Sequence, residues 1–150
     1  MTLIDLVSNP LGLGLDRLGV RLSGYSFVTW VYNRASGVGY IQSLLLTSIG
    51  AKTGRRRRAV LPYYSDGERF VIVGSNGGAK RDPHWAVNLR AHPEAEVHVS
   101  RRRHAVTAHF SAGEERELLW GAITKGRGPY AYYQKAAAPR EIPVVVLSPR

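Results

Sequence analysis

The 150-residue chain has no cysteine, which excludes disulfides, thiolate nucleophiles and cysteine-ligated zinc together. Acids are scarce: 11 Asp and Glu stand against 21 Lys and Arg, for a formal charge of +10. Several of these acids fall in expected caps and turns, as Asp66 and Glu114 do, so a paired-carboxylate hydrolase is poorly supported. No apolar run approaches the ~18–20 residues that span a bilayer. No basic stretch precedes the first apolar residues, which argues against a secretory signal and, with the lack of cysteine, for a cytoplasmic protein. HExxH, P-loop and GxSxG elements are all missing. The five histidines, His84, His92, His98, His104 and His109, form no i,i+4 pair on an expected helix, and no metal is expected. The one arrangement left open to a metal is His98, His104 and His109 sharing a face of neighbouring strands.

What is present is an ordinary apolar fraction of 44% and a length that suits a single domain. Such a chain buries roughly 68–70% of its extended surface. The positive balance attracts nucleic acid, an anionic membrane or a polyanionic small molecule, and charge alone does not choose among them.

Residues 1–24 read as an N-terminal arm, helical or flexible, with Leu3, Ile4, Leu6 and Val7 on one face of a short helix. An amphipathic segment lying on a membrane surface is the other reading of this arm. Residues 25–150 read as one folded domain. Tyr25 to Ala35 has helical spacing and Ile41 to Ile49 is an apolar strand. Asp66-Gly67 separates the β-rich runs Ala59–Ser65 and Glu68–Ser75, a strong hairpin signal. Pairing Ser65 with Glu68 would set Tyr63 against Phe70, Leu61 against Ile72 and Arg58 against Ser75. Pro62 lacks a donor, so its strand must lie at an edge or be bulged.

Asp82-Pro83 is an N-cap and N1 pair for a helix to Ala91, with Trp85 and Leu89 on one face. Ala95–Ser100 and His104–Phe110 are alternating strands joined at Arg101-Arg102-Arg103. Ser111-Ala112-Gly113-Glu114 is a capping-box signature for a helix with Leu118, Leu119, Ala122 and Ile123 inward. Ile142–Leu147 closes the chain as an apolar, central strand. About six strands, three or four helices and mostly short connections favour an antiparallel small barrel, an α+β fold.

The expected register brings the basic run Lys52-Thr53-Gly54-Arg55-Arg56-Arg57-Arg58 beside the loop Ser75-Asn76-Gly77-Gly78 and the helix start at Asp82-Pro83. Guanidinium groups, free amides and a helix N-terminus together suit an anion, commonly a phosphate. A solvated basic loop beside an ordinary turn has the same pattern. With no nucleophile in evidence, such a site suits an enzyme whose organic cofactor carries the chemistry.

Several separated motifs occur in order: Thr47-Ser48-Ile49-Gly50-Ala51-Lys52-Thr53-Gly54 with Arg57, then Asp66-Gly67, then Ser75-Asn76-Gly77-Gly78, then Pro83-His84-Trp85, then Asn88-Leu89-Arg90-Ala91-His92-Pro93. In these the chain resembles the deazaflavin (F420)-dependent nitroreductase and F420H2-dependent quinone reductase family. The resemblance implies a split β-barrel, like that of FMN-binding proteins. It implies an oxidoreductase passing a hydride from reduced F420, which carries a phosphate and a glutamate tail, to a quinone, nitro compound or similar small acceptor. It assigns Lys52 and Arg57 to the phosphate and tail, with Thr53, Arg55 and Arg58 beside them. Ser75, Asn76, Gly77 and Gly78 would wrap the phosphate or the ring edge, and Trp85 and Asn88 would face the cofactor. Tyr130 and Tyr133 match the family's substrate-pocket tyrosines, able to bond or protonate an acceptor. Asn76 replaces a lysine common in relatives, and Arg127 stands where many have an aromatic residue. FMN is the alternative cofactor on the same barrel. The resemblance points to no nucleic-acid partner, leaves monomer and homodimer open, and allows membrane contact through the arm.

Overall fold

A computed structural model describes residues 10–23, 26–28, 41–125 and 128–150. The expected helix over Tyr25 to Ala35 lies almost wholly outside these residues, as does Arg127. In chain order the elements are α1 (Pro10–Ser23), β1 (Ser43–Ile49), β2 (Arg56–Pro62), β3 (Tyr64–Asp66), β4 (Arg69–Val73), a 3-10 turn (Asn76–Gly78) and α2 (His84–Ala91). Then come β5 (Glu94–Val99), β6 (Arg102–Phe110), α3 (Gly113–Thr124), α4 (Tyr130–Ala137) and β7 (Val144–Pro149).

The seven strands form one sheet in the order β2-β1-β5-β6-β7-β4-β3, antiparallel throughout. β2 and β3 sit at opposite edges, yet only Tyr63 separates them in the chain. The sheet must therefore curl until its edges approach each other, which makes an antiparallel half-barrel.

This geometry corrects the expected long hairpin. Its first run divides into β2 and β3, which is why there are seven strands and not six. β2 pairs with β1: Leu61 lies opposite Leu44, and Arg58 opposite Thr47. The short β3 pairs with β4 as Asp66 with Arg69, Ser65 with Phe70 and Tyr64 with Val71. The turn is thus Gly67-Glu68, because it is Gly67, at φ +60°, that takes the left-handed position. Asp66 stays in the strand and its carboxylate pairs with Arg69. At the break, Pro62 offers no donor, while the Tyr63 amide still reaches Gln42 O at 3.1 Å. As expected of a strand carrying Pro62, β2 is an edge.

The inner face carries Leu44, Leu46, Ile72, Val97, Val106, Val145 and Leu147, and Trp85, Ala86 and Leu89 of α2 join the same core. β7 lies inside the sheet, and its Val144–Leu147 run is wholly buried on both faces. Each such side chain contributes about 1.5–3 kcal/mol. A second cluster covers the outer face of β4 and β7, where Leu119, Trp120 and Ile123 of α3 and Tyr130 of α4 meet Val71, Val144 and Val146. Leu118 and Ala122 are exposed, so α3 is rotated from the expected face. No capping box forms. The Ser111 hydroxyl instead donates to Val144 O at 2.8 Å and ties the helix start to β7.

Candidate functional site

Two loops carry most of the expected site. The first, Gly50 to Arg55, closes through Gly50 N–H to Arg55 O at 2.8 Å and Gly54 N–H to Gly50 O at 2.9 Å. A Cβ at Gly50 would meet Thr53 Oγ1 at 2.5 Å, so any larger residue there would displace the Thr53 hydroxyl. Thr53 Oγ1 also accepts the Arg55 amide at 3.3 Å, while Lys52 and Arg55 are exposed. Buried Asn88 holds this turn onto α2. Its Oδ1 accepts the Ala51 amide at 2.9 Å, and its Nδ2 donates to Ser48 Oγ at 3.4 Å.

Strand alternation sorts the arginine run. Arg57 lies opposite Ser48 and continues the core-facing row of Ala59 and Leu61. Arg56 and Arg58 continue the outer row with Val60, on the side where α1 supplies Arg17. A cleft at the β2 edge is lined by Arg17, Arg56, Arg57 and Arg58. Glu96 approaches Arg56 at 3.6 Å, whereas Lys52, Arg55, Arg57 and Arg58 have no acidic partner among the described residues.

The second loop follows β4. Ser75 is right-handed (φ −65°, ψ −35°), while Asn76, Gly77 and Gly78 have φ of +47°, +61° and +81°. Successive right- and left-handed residues turn their amides toward one point, an anion-binding concavity. No acceptor among the described residues takes the N–H of Ser75, Asn76 or Gly77, whereas Gly78 N–H is bound to Ser75 O at 2.9 Å. Asn76 is exposed, and its side-chain amide donates to Arg81 O at 3.0 Å. α4 packs on the loop so closely that a Cβ at Gly78 would lie 3.2 Å from Tyr133 Cα and 3.0 Å from Ala136 Cβ.

The expected register does not join these loops, since Arg58 pairs with Thr47. α2 links them instead, holding the first through Asn88 and following the second in the chain. Asp82 is not its N-cap. The helix starts after Pro83, and the Asp82 carboxylate binds Arg140 at 2.8 Å and approaches Arg90 at 3.6 Å. Trp85 is buried among core residues.

Tyr130 and Tyr133 come together on α4, with ring centroids 6.4 Å apart, and Tyr130 also meets Tyr64 and Trp120 at 6.4 Å each. Burial pushes the Tyr130 phenol far above its ordinary range, and neighbouring Tyr64 adds to this, so Tyr130 keeps its proton. Burial raises Tyr64 as well, against a hydrogen bond from Tyr130. Tyr63 and Tyr64 point opposite ways, as alternation requires, into the inner and outer clusters.

The three strand histidines do not all share one face. His98 lies opposite Arg103, and His104 opposite Val97, which puts His104 on the inner face and His98 and His109 on the outer. Among the described residues no group of three or more potential metal ligands occurs.

Arg140 carries no local sequence signal, and its importance emerges only from the fold. Its guanidinium binds the backbone around the glycine loop, and Gln134 Nε2 fixes its own carbonyl at 2.7 Å.

Residues 25–149 match the family model for F420H(2)-dependent quinone reductase. The chain belongs to this family. The match makes it an oxidoreductase that uses coenzyme F420, as its separated motifs imply. An F420H(2)-dependent quinone reductase of Mycobacterium tuberculosis is 40% identical over 111 residues, covering 72% of this chain and 74% of that protein. The solved structure of an F420-H2 dependent reductase superposes with a TM-score of 0.64 at 33% identity, covering 71% of this chain and 93% of the other. A structure described as a domain-swapped dimer gives a TM-score of 0.64 at 30% identity, over 79% of this chain and 97% of the other. The half-barrel is accordingly the split β-barrel of this family.

Proposed function

We propose that the chain holds F420 between the Gly50–Arg58 segment and the Ser75–Gly78 loop and reduces a quinone or another activated acceptor, such as a nitro compound, beside α4. The observation that carries this is the set of three unclaimed amides at Ser75, Asn76 and Gly77, backed against Tyr133. A phosphate fits that donor set. Lys52 and Arg57 add charge-assisted contacts to phosphate and tail, and the exposed Arg55 and Arg58 extend the positive field along an anionic tail. Thr53 and Asn88 act by shaping the turn that presents Lys52. Trp85 braces α2 from the core side.

When bound, reduced F420 supplies the hydride. The chain's own work is to orient, exclude water and manage a proton. Tyr133, half-buried at the glycine loop, holds a proton at its phenol oxygen for the acceptor oxygen. Tyr130 packs behind it and fixes its ring.

Titrating the protein with F420, followed by ligand fluorescence and with FMN in parallel at the same salt, tests the assignment. F420 binding tighter than FMN is expected, with Tyr133→Phe slowing turnover and leaving F420 binding intact. Binding of FMN in preference, or of neither, contradicts it.

A membrane surface is a second contact favoured by a specific observation. Leu15, Leu18 and Leu22 of α1 are 67%, 52% and 58% exposed, and Arg17 and Arg21 lie on the same helix. No described helix is long and apolar enough to cross a membrane. Surface docking through α1 predicts salt-sensitive cosedimentation with anionic vesicles, reduced by changing Leu18 and Leu22 to Ser. Cosedimentation of that variant at the wild-type level removes the reading.

A further inference from the structure

We propose that Arg140 is the positioning residue of the F420 site, acting through the glycine loop; this rests on the reading of that loop given above. Its guanidinium is largely buried, with a side chain 12% exposed. Nη1 donates to Gly74 O at 3.1 Å and Asp82 Oδ1 at 2.8 Å. Nη2 donates to Ser75 O at 2.9 Å and Ala79 O at 2.8 Å, and Nε to Ala79 O at 3.0 Å. One planar fork thus gathers three backbone carbonyls from both ends of the loop and neutralises the acid that precedes α2.

The consequence is directional. With the carbonyls of Gly74, Ser75 and Ala79 drawn to Arg140, an anion at the amides of Ser75 to Gly77 avoids the repulsion those oxygens would otherwise exert. The bound guanidinium also leaves a positive charge behind the loop. Lysine keeps the charge but has a single ammonium head, so it cannot hold all three carbonyls in one plane. Arg140 is fixed in turn by α4, where Gln134 Nε2 donates to Arg140 O at 2.7 Å and Gln134 Oε1 accepts the Ile142 amide at 2.8 Å. The clamp therefore ties the anion loop to the helix that bears Tyr133. Arg140 touches neither reactant.

The test uses the full chain with Arg140→Lys, Arg140→Gln and, as the mildest variant, Asp82→Asn. Arg116→Lys is the control for loss of a buried structural arginine, since Arg116 Nη2 binds Ile142 O at 2.8 Å away from the loop. Melting temperature, F420 dissociation constant, kcat and KM are read for each. Both Arg140 variants should raise the F420 dissociation constant and KM about tenfold, with kcat at saturating F420 within about twofold. Asp82→Asn should raise the dissociation constant about threefold, and the control should lose melting temperature without losing F420 affinity. An Arg140→Lys protein that binds F420 like wild type overturns the proposal, as does an equal affinity loss in the control. Should both Arg140 variants fail to fold, Asp82→Asn decides by the same reading. If wild type itself binds no F420, the site reading has failed, and the clamp is judged on the ligand-free proteins. Exchange of the hydrogen-bonded Gly78 and Ala79 amides about tenfold faster in the folded variants then supports it, and unchanged exchange refutes it.

Discussion

The molecule uses arginine in two opposite ways within its proposed F420 site. At the β2 edge Arg55 to Arg58 are exposed and, apart from Arg56 near Glu96, stand without acidic partners among the described residues. At the C-terminal side Arg140 is largely buried, and its donors are spent on backbone carbonyls and Asp82. The first group offers charge to a ligand and contributes little to the fold, as exposed charges do. The second offers the ligand nothing directly and builds the loop that does. A run of basic residues therefore marks where a polyanion can lie, whereas the shape of the proposed phosphate loop is held by a lone arginine far away in sequence.

The sharpest break in this contrast is expected at Gly78, where loop shape rather than charge is at stake. Gly78→Ala puts a Cβ 3.2 Å from the Tyr133 backbone at φ +81°. Left-handed strain and overpacking should cost about 2–3 kcal/mol of stability, measured by denaturant unfolding, with F420 affinity falling alongside. Wild-type stability in this variant would show that α4 yields and that the loop is not templated by it.

A smaller effect should separate the arginines from one another. Arg57 continues the core-facing row with Ser48 opposite, and Arg58 the outer row. Arg57→Ala should raise the F420 dissociation constant about tenfold, and Arg58→Ala no more than about threefold at moderate salt. Equal effects would mean that the run acts only as a diffuse field.

The sequence made these residues visible as a group but did not sort them. Sorting needed the pairing of β2 with β1, and the Asp-Gly signal pointed to a longer hairpin with a different register. Local turn chemistry identified the turn, yet one prolyl residue and the closure of the barrel decided where β2 ended. Asp82 and Ser111 failed as caps in a related way: each side chain is held by a tertiary partner, Arg140 and Val144 O respectively, and makes no capping bond. The interior strand Val144–Leu147 and the Trp85–Leu89 face were legible because burial dominates there and periodicity reports burial. Arg140 was illegible because its partners are backbone carbonyls about 60 residues away, and a carbonyl has no sequence signature.

The smallest predicted effect lies on the α1 side, away from both loops. His98 Nδ1 is buried without a hydrogen bond, 3.8 Å from Glu96. Burial lowers its pKa, and Arg21, Arg103 and Arg58 add to this against the opposing pull of Glu96. The unfolded chain then binds the proton more readily, so stability rises with pH through this window and is fully present above about 6.5. Melting temperatures between pH 5 and 7 should fall on acidification in wild type and fall less in His98→Gln. Parallel curves would remove His98 as the cause.

The most direct test of the central claim is a titration of the 15N-labelled protein with F420, following backbone amide resonances. Saturable shifts are expected at Ser75, Asn76 and Gly77, with smaller ones at Lys52 and Arg57. Saturable binding that leaves those three amides unmoved and shifts only the outer-row Arg56 and Arg58 would contradict it.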